Sequence, residues 1–461
     1  MFELEKKDEE NKKSEKNKIL NHLKQYRSAY VLGAIPPVGF LLYLLVNNNS
    51  GNEKKTKIIE EIKITPEIKE TVKNIFDREF EYKSQNIGNV TLEDYIKNER
   101  ISDNIISLNN LLNQIRRDYE IDKFNDFYCH ISRNLLVSSK RQLDNSVEPT
   151  ALEKKLDELV DKGDLPIKQF TLSQIDSLYK IKTKNYVSLS KAVFVKKTGC
   201  DALELYKSAS DGAIVQAASQ YNALESMGPY FSPVYDWKRD GTQGPRACLQ
   251  VVVATKHRES AYLKNKLPDA IFNILNSCKI SGVPITEKYK AVYEHGYLQL
   301  YNINDTNDLL QLKNHIDNNI GNFDLNAQWV ICENGSKQFQ LFLAAPSFQG
   351  AYQNWSKTDE RTNCFREICR ILVVPQYKAS AQIAVIKSIL QGKQSELHLT
   401  GIGQSSFGNP PEIVTDCLNI VYDIVKNYDV KVIVHEYHKD AWAQNIRDSH
   451  LPEGLKLSLL K

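Results

Sequence analysis

Apolar positions along this chain change their spacing near residue 170. From Lys54 to about Val160 they recur at helical intervals. The clearest stripe is Ile105, Ile106, Leu108, Leu111, Leu112 and Ile115 behind the cap candidate Ser102, and Ile68-Lys69-Glu70 after Pro66 reads as another helix start. From Phe170 onward short apolar runs alternate with helical stretches. Strands are expected at 187–195, 212–218, 249–253, 338–345, 396–400 and 430–434, and helices at 268–276, 364–371, 379–390 and 412–426. Strands separated by helices imply an α/β domain whose mixed or mostly parallel sheet is covered on both faces. Ligands of such sheets sit beyond the carboxyl ends of the strands.

The most informative junction in this pattern is His398 through Glu412, a strand that ends in a glycine loop and opens a helix. Asn409 is the expected cap, Pro410 the first helical residue and Glu412 the partner in a capping box. A loop of this kind presents backbone N–H groups to an anion, most often a phosphate. It has no lysine, so it is not a kinase-type phosphate loop, and its glycines do not match a dinucleotide fingerprint. A tight turn with close packing of strand and helix is the plainer alternative.

The N-terminal pattern is different again. Residues 1–27 are mostly Lys, Glu, Asp and Asn and read as a solvated tail, followed by a charge-free apolar run from Ala29 to Val46. That run is at the short end for a bilayer span and carries Pro36-Pro37, so a bent span, a re-entrant hairpin and a buried segment are all compatible with it. The expected organisation is therefore a charged tail (1–27), a candidate membrane segment (28–47), a helical domain (48–165) and an α/β domain (166–461).

Composition narrows the chemistry. In 461 residues, 60 Lys plus Arg stand against 57 Asp plus Glu, which gives little long-range attraction for nucleic acid, and none is expected as a partner. The eight cysteines are spread without CxxC pairing and mostly beside apolar residues, as small core residues in a reduced compartment would be. His295, His398, His435 and His438 are scattered, and neither set proposes a metal site. No metal and no cofactor is expected.

Three further loops fall at strand ends. Ser219 to Glu225 offers Gln220, Asn222 and Glu225 to ribose hydroxyls; Asp236 to Arg246 packs Asp240, Gln243 and Gly244 among cations; Ala344 to Trp355 supplies aromatic side chains that could stack on a base or cover the core. With the glycine loop they describe a pocket with a phosphate end, a ribose wall and an aromatic lid. At 213–225 (Ala-Ile-Val-Gln-Ala-Ala-Ser-Gln-Tyr-Asn-Ala-Leu-Glu), 235–245 (with Asp-Gly-Thr-Gln-Gly-Pro) and 399–410 the chain resembles divergent macrodomains, in the branch of ADP-ribosylhydrolases that contains Legionella-type secreted effectors.

The resemblance covers roughly residues 200–440. It implies a macrodomain-like mixed sheet flanked by helices, behind an N-terminal helical region, that binds ADP-ribose as substrate moiety or product. Asn222 would lie near the distal ribose, with Gln220 beside it. Gly401, Gly403, Ser405, Ser406, Phe407 and Gly408 would cradle the diphosphate, and Gln243 and Gly244 would line the cleft. It also implies a secreted bacterial effector acting in a host cytoplasm, with an ADP-ribosylated protein as partner. A protein target needs contacts beyond the ADP-ribose pocket, so the helical segment is the candidate contact for a substrate or host protein, and the tail and apolar run are the candidate contact for a membrane. The chain has Gln216-Ala217-Ala218-Ser219 where the ordinary signature has Asn-Ala-Ala-Asn, and no Gly-Gly-Gly followed by Gln-Glu-Glu, the catalytic signature of poly-ADP-ribose glycohydrolases.

Hydrolysis at a ribose anomeric carbon develops oxocarbenium charge and needs a carboxylate to stabilise it or to activate water. Asp240 is the first candidate, with Glu225 and Asp359 in reserve; each could equally be a surface or capping acid. The expectation is a hydrolase that removes ADP-ribose from mono-ADP-ribosylated protein, with arginine as one linkage. The alternatives are a non-catalytic ADP-ribose reader and a membrane-anchored scaffold.

Overall fold

The computed structural model describes residues 90–97, 105–106, 109, 151–199, 202–224, 250–294, 296–332, 334–348, 359–404, 407–436 and 455. The chain divides into two compact units, 1–78 and 79–461, and the first lies outside the described residues. So do the apolar segment 28–47 and most of the amphipathic stripe at 105–115. Among the described residues no helix is long and apolar enough to cross a membrane.

The second unit is built on a seven-stranded mixed sheet: β1 (Lys168–Thr171), β2 (Val193–Thr198), β3 (Ile214–Ser219), β4 (Asp324–Ile331), β5 (Lys337–Ala344), β6 (Ser395–Leu399) and β7 (Val430–Glu436), in the order β1-β4-β5-β3-β6-β7-β2. β4 pairs antiparallel with both neighbours, and β5, β3, β6, β7 and β2 run parallel, so the carboxyl ends of these five reach one edge. This is the α/β architecture the alternation of apolar runs implies.

Side-chain alternation divides the sheet into two unlike faces. Ile214, Phe339, Leu341, Leu343, Leu397, Leu399, Val432 and Val434 fall on one, in the same apolar core as the buried residues of α8 (Glu360–Gln391) and α9 (Pro411–Val425). The other carries Gln328, Gln338, Gln340, Glu396, His398 and His435 among smaller apolar groups, and it meets α4 (Ala202–Ser208) and α5 (Val252–Leu263). Its buried amides take partners from these helices, while the Oε1 atoms of Gln338 and Gln340 have none among the described residues. Gln340 donates to Tyr206 Oη at 2.5 Å, and Arg258 donates to Gln328 at 2.8 Å while lying over the Phe342 ring at 4.5 Å.

Several expected elements change. Of the strand expected at 249–253, residues 250–253 are described and form none: from Val252 the chain is the helix α5, whose Lys256, His257, Arg258 and Glu259 are all buried, so tertiary burial overrides the β-branched run. The helices expected at 364–371 and 379–390 are one helix of 32 residues with Pro375 inside it. The strand expected at 187–195 begins only at Val193, and β1 and β4 were not anticipated. Helices α1 (Leu92–Lys97), α2 (Ala151–Asp161), α3 (Leu172–Thr183), α6 (Phe272–Ser277) and α7 (Thr306–Asn319) also belong to this unit. Tyr95 takes an N–H bond of 2.8 Å from Trp329 at its carbonyl, and Asp157 accepts from Ser260 at 2.5 Å.

Candidate ligand site at the carboxyl edge of the sheet

Helix α8 fixes the loops that leave β5 and β6. Gln376, fully buried, holds both backbone groups of Ala344: its Oε1 accepts from the Ala344 amide at 2.9 Å and its Nε2 donates to the Ala344 carbonyl at 2.8 Å. The side chain thus takes the place of a strand neighbour for the last residue of β5. One residue on, the buried Tyr377 hydroxyl donates to the Thr400 carbonyl and accepts from the Ile402 amide at 3.1 Å, at the mouth of the glycine loop. Burial pushes that hydroxyl's pKa well up, so it stays a neutral donor. Gln216 completes the set by accepting from the Thr400 amide at 3.2 Å and donating to Ser380.

The glycine loop then folds against the loop after β5. Gly403 has φ +75°, and a Cβ there would lie 2.7 Å from both Ala345 Cβ and Asn409 Nδ2. Asn409 Nδ2 donates to the Pro346 carbonyl at 2.8 Å, and the Phe348 amide donates to the Phe407 carbonyl at 2.7 Å. The loop after β3 arrives from the other side. Gln220 Nε2 donates to Tyr297 Oη at 3.1 Å, the Tyr221 amide donates to Gly296 at 3.0 Å, and the Tyr297 ring lies 5.6 Å from that of Phe407. Gln220, Gly401, Gly403, Phe407 and Gly408 therefore meet at one edge, with Tyr297 between Gln220 and Phe407. Tyr297 belongs to a two-residue strand, Tyr297–Leu298, that has no periodic signal in the sequence.

The anion-binding potential lies in the loop and not in the helix behind it. Asn409 does not cap α9: its amide is spent on Pro346, the N-cap is Pro410 without a side-chain bond, and Pro411 is the first helical residue. Two prolines in succession carry no N–H, so the first turn offers an anion little more than the Glu412 amide. Within the loop the amides of Ile402, Gln404 and Asn409 are bonded internally. Those of Gly401 and Gly403 have no hydrogen-bond partner among the described residues.

Asn222 is also committed. Its Oδ1 accepts from the Leu224 amide at 3.1 Å, and its side chain packs on Gly296, where a Cβ would come within 2.5 Å. It shapes the loop after β3 from a position 1% exposed. Asp359 stands at the start of α8, where its carboxylate caps the helix through the Arg361 amide (2.9 Å) and pairs with the Arg361 guanidinium. The bonds from Arg361 hold its pKa below the usual carboxylate range. Glu225, Asp240, Gln243, Gly244, Ser405 and Ser406 lie outside the described residues.

The described cysteines, Cys278, Cys332, Cys364, Cys369 and Cys417, are buried and free, and burial raises each thiol pKa, that of Cys332 to about 12. Among the described residues no group of three or more His, Cys, Asp or Glu side chains is placed to hold a metal ion. Two histidines read as scattered nevertheless meet, since the register of β6 and β7 puts His398 2.8 Å from His435.

No protein-family model and no curated protein matches the chain. Among solved structures it is similar to poly(ADP-ribose) glycohydrolase from Thermomonospora curvata, with 10% identity over 73% of this chain and 96% of that one and a TM-score of 0.35. It is similar also to the same enzyme bound to the inhibitor ADP-HPD, with 10% identity, the same coverage and a TM-score of 0.33. The Deinococcus radiodurans poly(ADP-ribose) glycohydrolase in complex with ADP-ribose matches with 9% identity over 65% of this chain and 94% of that one, at a TM-score of 0.34.

Proposed function

We propose that the carboxyl edge of the sheet binds ADP-ribose and that the chain hydrolyses the bond joining it to a modified protein. The observation that carries this reading is the convergence of the glycine loop, whose Gly401 and Gly403 amides have no partner among the described residues, on Gln220, Tyr297 and Phe407. Amides suit a diphosphate, a side-chain amide and a phenol suit ribose hydroxyls, and an aromatic pair suits a base. In the reaction, water attacks the anomeric carbon while the bond to the protein breaks with its electron pair on the leaving atom, which takes up a proton. The diphosphate clamp holds the sugar in place for that attack.

Asp240 and Glu225 are the carboxylates proposed to stabilise the charge or take the proton from water, and Asp240 comes first. Asp359 is the weaker choice because Arg361 and the helix start occupy it. Arginine is the proposed linkage, since a guanidinium leaving group pairs well with a carboxylate. Recruitment of the protein target is assigned to the helical residues 48–165, and membrane contact to 28–47.

A second reading, an ADP-ribose reader without turnover, is favoured by one observation: the described parts of the converging loops, 219–224, 345–348, 401–404 and 407–409, contain no Asp or Glu. Release of ADP-ribose from arginine- and glutamate-modified proteins by the full chain separates the two. Turnover that Asp240→Asn abolishes, with binding retained, supports the hydrolase. Binding without release supports the reader, and absence of both overturns the proposal.

A further inference from the structure

On the polar face of the sheet, Glu396, His398 and His435 form a chain of hydrogen bonds across β6 and β7. Glu396 Oε1 lies 2.7 Å from His398 Nε2, and His398 Nδ1 lies 2.8 Å from His435 Nε2. The two rings are 17° from parallel with centroids 5.0 Å apart, which is the separation an in-plane N–H···N contact gives; they meet edge to edge. Both are buried, at 0% and 5% exposure.

The protons on this chain follow from its first member. Burial would raise the Glu396 pKa, but hydrogen bonds from His398, Ser210 and Lys431 outweigh it and hold the carboxylate well below its usual range. An ionised carboxylate only accepts, so His398 Nε2 carries a proton. Burial keeps His398 neutral against the opposing pull of Glu396, and Lys197 on β2 and Lys431 on β7 act in the same direction as burial. Its Nδ1 is therefore bare and accepts from His435 Nε2–H. Burial, with His398 and Lys197, takes His435 down to about 3, so it too is neutral and its Nδ1 is a bare lone pair. That nitrogen is buried and has no hydrogen-bond partner among the described residues.

The direction of the chain matters. His398 pairs in register with Ile433, so the relay climbs toward the carboxyl edge as it crosses to His435. Just past the end of β6, Thr400 Oγ1 is likewise buried without a partner among the described residues. Thr400 directly precedes the glycine loop, and its own backbone is held by Gln216 and Tyr377. Two unsatisfied polar groups thus stand at the carboxyl ends of adjacent strands, one an acceptor only and the other a hydroxyl able to donate.

We propose that His435 Nδ1 and Thr400 Oγ1 together receive a ribose hydroxyl of the ligand, which donates to the imidazole and accepts from the threonine. This rests on the ADP-ribose reading and names the group that sets its sugar specificity. Glu396 and His398 act as positioning residues that fix the His435 tautomer, as outer hydrogen bonds fix a ligating imidazole. A site built around a hydroxyl discriminates against the analogue that lacks it, because its own polar groups are then left unpaired.

The test is calorimetric titration of the full chain with ADP-ribose and with analogues that each lack one ribose hydroxyl, alongside 15N spectra of the histidine rings. The wild-type chain is expected to bind one analogue about 10- to 100-fold more weakly than the parent. His435→Phe and Thr400→Val should bind that analogue and the parent alike, and Thr400→Ser should keep the preference. The ring spectra should show His435 with bare Nδ1 and protonated Nε2 before ligand, and an Nδ1 shift on binding. Should His435→Phe not fold, Thr400→Val and the wild-type spectra decide. Binding of ADP-ribose with no such discrimination and an unmoved Nδ1 overturns the hydroxyl site and leaves the ligand reading intact. No binding of ADP-ribose by a folded chain removes both.

Discussion

Gly403→Ala is the substitution that most directly perturbs the proposed phosphate loop, and Gly392→Ala is its internal control. Both glycines have positive φ, +75° and +61°, so alanine pays the left-handed backbone penalty of about 1–2 kcal/mol at either position. They differ in surroundings. A Cβ at Gly392, the C-cap of α8, meets nothing within 4 Å, whereas at Gly403 it lies 2.7 Å from Ala345 Cβ and Asn409 Nδ2. Ala345 directly follows the residue pinned by Gln376, and Asn409 is bonded to Pro346, so neither gives way without breaking a contact. Overpacking of that kind adds about 1–3 kcal/mol. Gly403→Ala is therefore expected to lose about 2–5 kcal/mol in urea unfolding. Gly392→Ala should lose only the first part. ADP-ribose affinity should fall at least about 10-fold in Gly403→Ala and be unchanged in Gly392→Ala. Equal losses of stability in the two variants, or unchanged affinity in Gly403→Ala, would refute the claim that this loop is a rigid part of the site.

Tyr377→Phe removes the hydroxyl shared by the Thr400 carbonyl and the Ile402 amide, and because that amide keeps its bond to the Thr400 carbonyl the loss should be about 0.5–1.5 kcal/mol in denaturant unfolding, with weaker ADP-ribose binding and an unchanged far-UV spectrum. Gln376→Leu strands both backbone groups of Ala344 and should cost about 1–3 kcal/mol for each, measured in the same way. Asp324 is raised to about 6 by burial, which the hydrogen bond from Asn273 only partly offsets. The folded chain then holds a proton that the unfolded chain has lost, so this residue's contribution to stability declines as pH rises from about 4 to about 6. Asp324→Asn should flatten that part of the stability profile and raise stability at pH 7; an unchanged profile would show the carboxylate to be solvated.

Local signals made the glycine loop, the body of α9 and four of the seven strands legible, because β3, β5, β6 and β7 are apolar runs bounded by turns or helices. β4 was not legible for a physical reason. Its sequence, Asp-Leu-Asn-Ala-Gln-Trp-Val-Ile, alternates as if Asn326 and Gln328 faced water, yet both are buried, and Gln328 is matched by Arg258 from α5. The same buried polar layer hides α5, whose Lys256 to Glu259 run suggests a solvated face. Asn409 looked like a cap because the sequence does not show the Pro346 carbonyl that competes for its amide. Tyr297 and the His398–His435 contact arise only from tertiary placement, the latter from strand register between residues 37 apart.

The carboxyl edge formed by the loops after β3, β5 and β6 is proposed as the ADP-ribose site. Calorimetric titration of the full chain with ADP-ribose, repeated on Gly403→Ala, tests it most directly. Saturable binding to one site is expected for the wild-type chain, with its loss or marked weakening in the variant. A folded wild-type chain that takes up no ADP-ribose, or a variant that binds it equally well, would rule the site out.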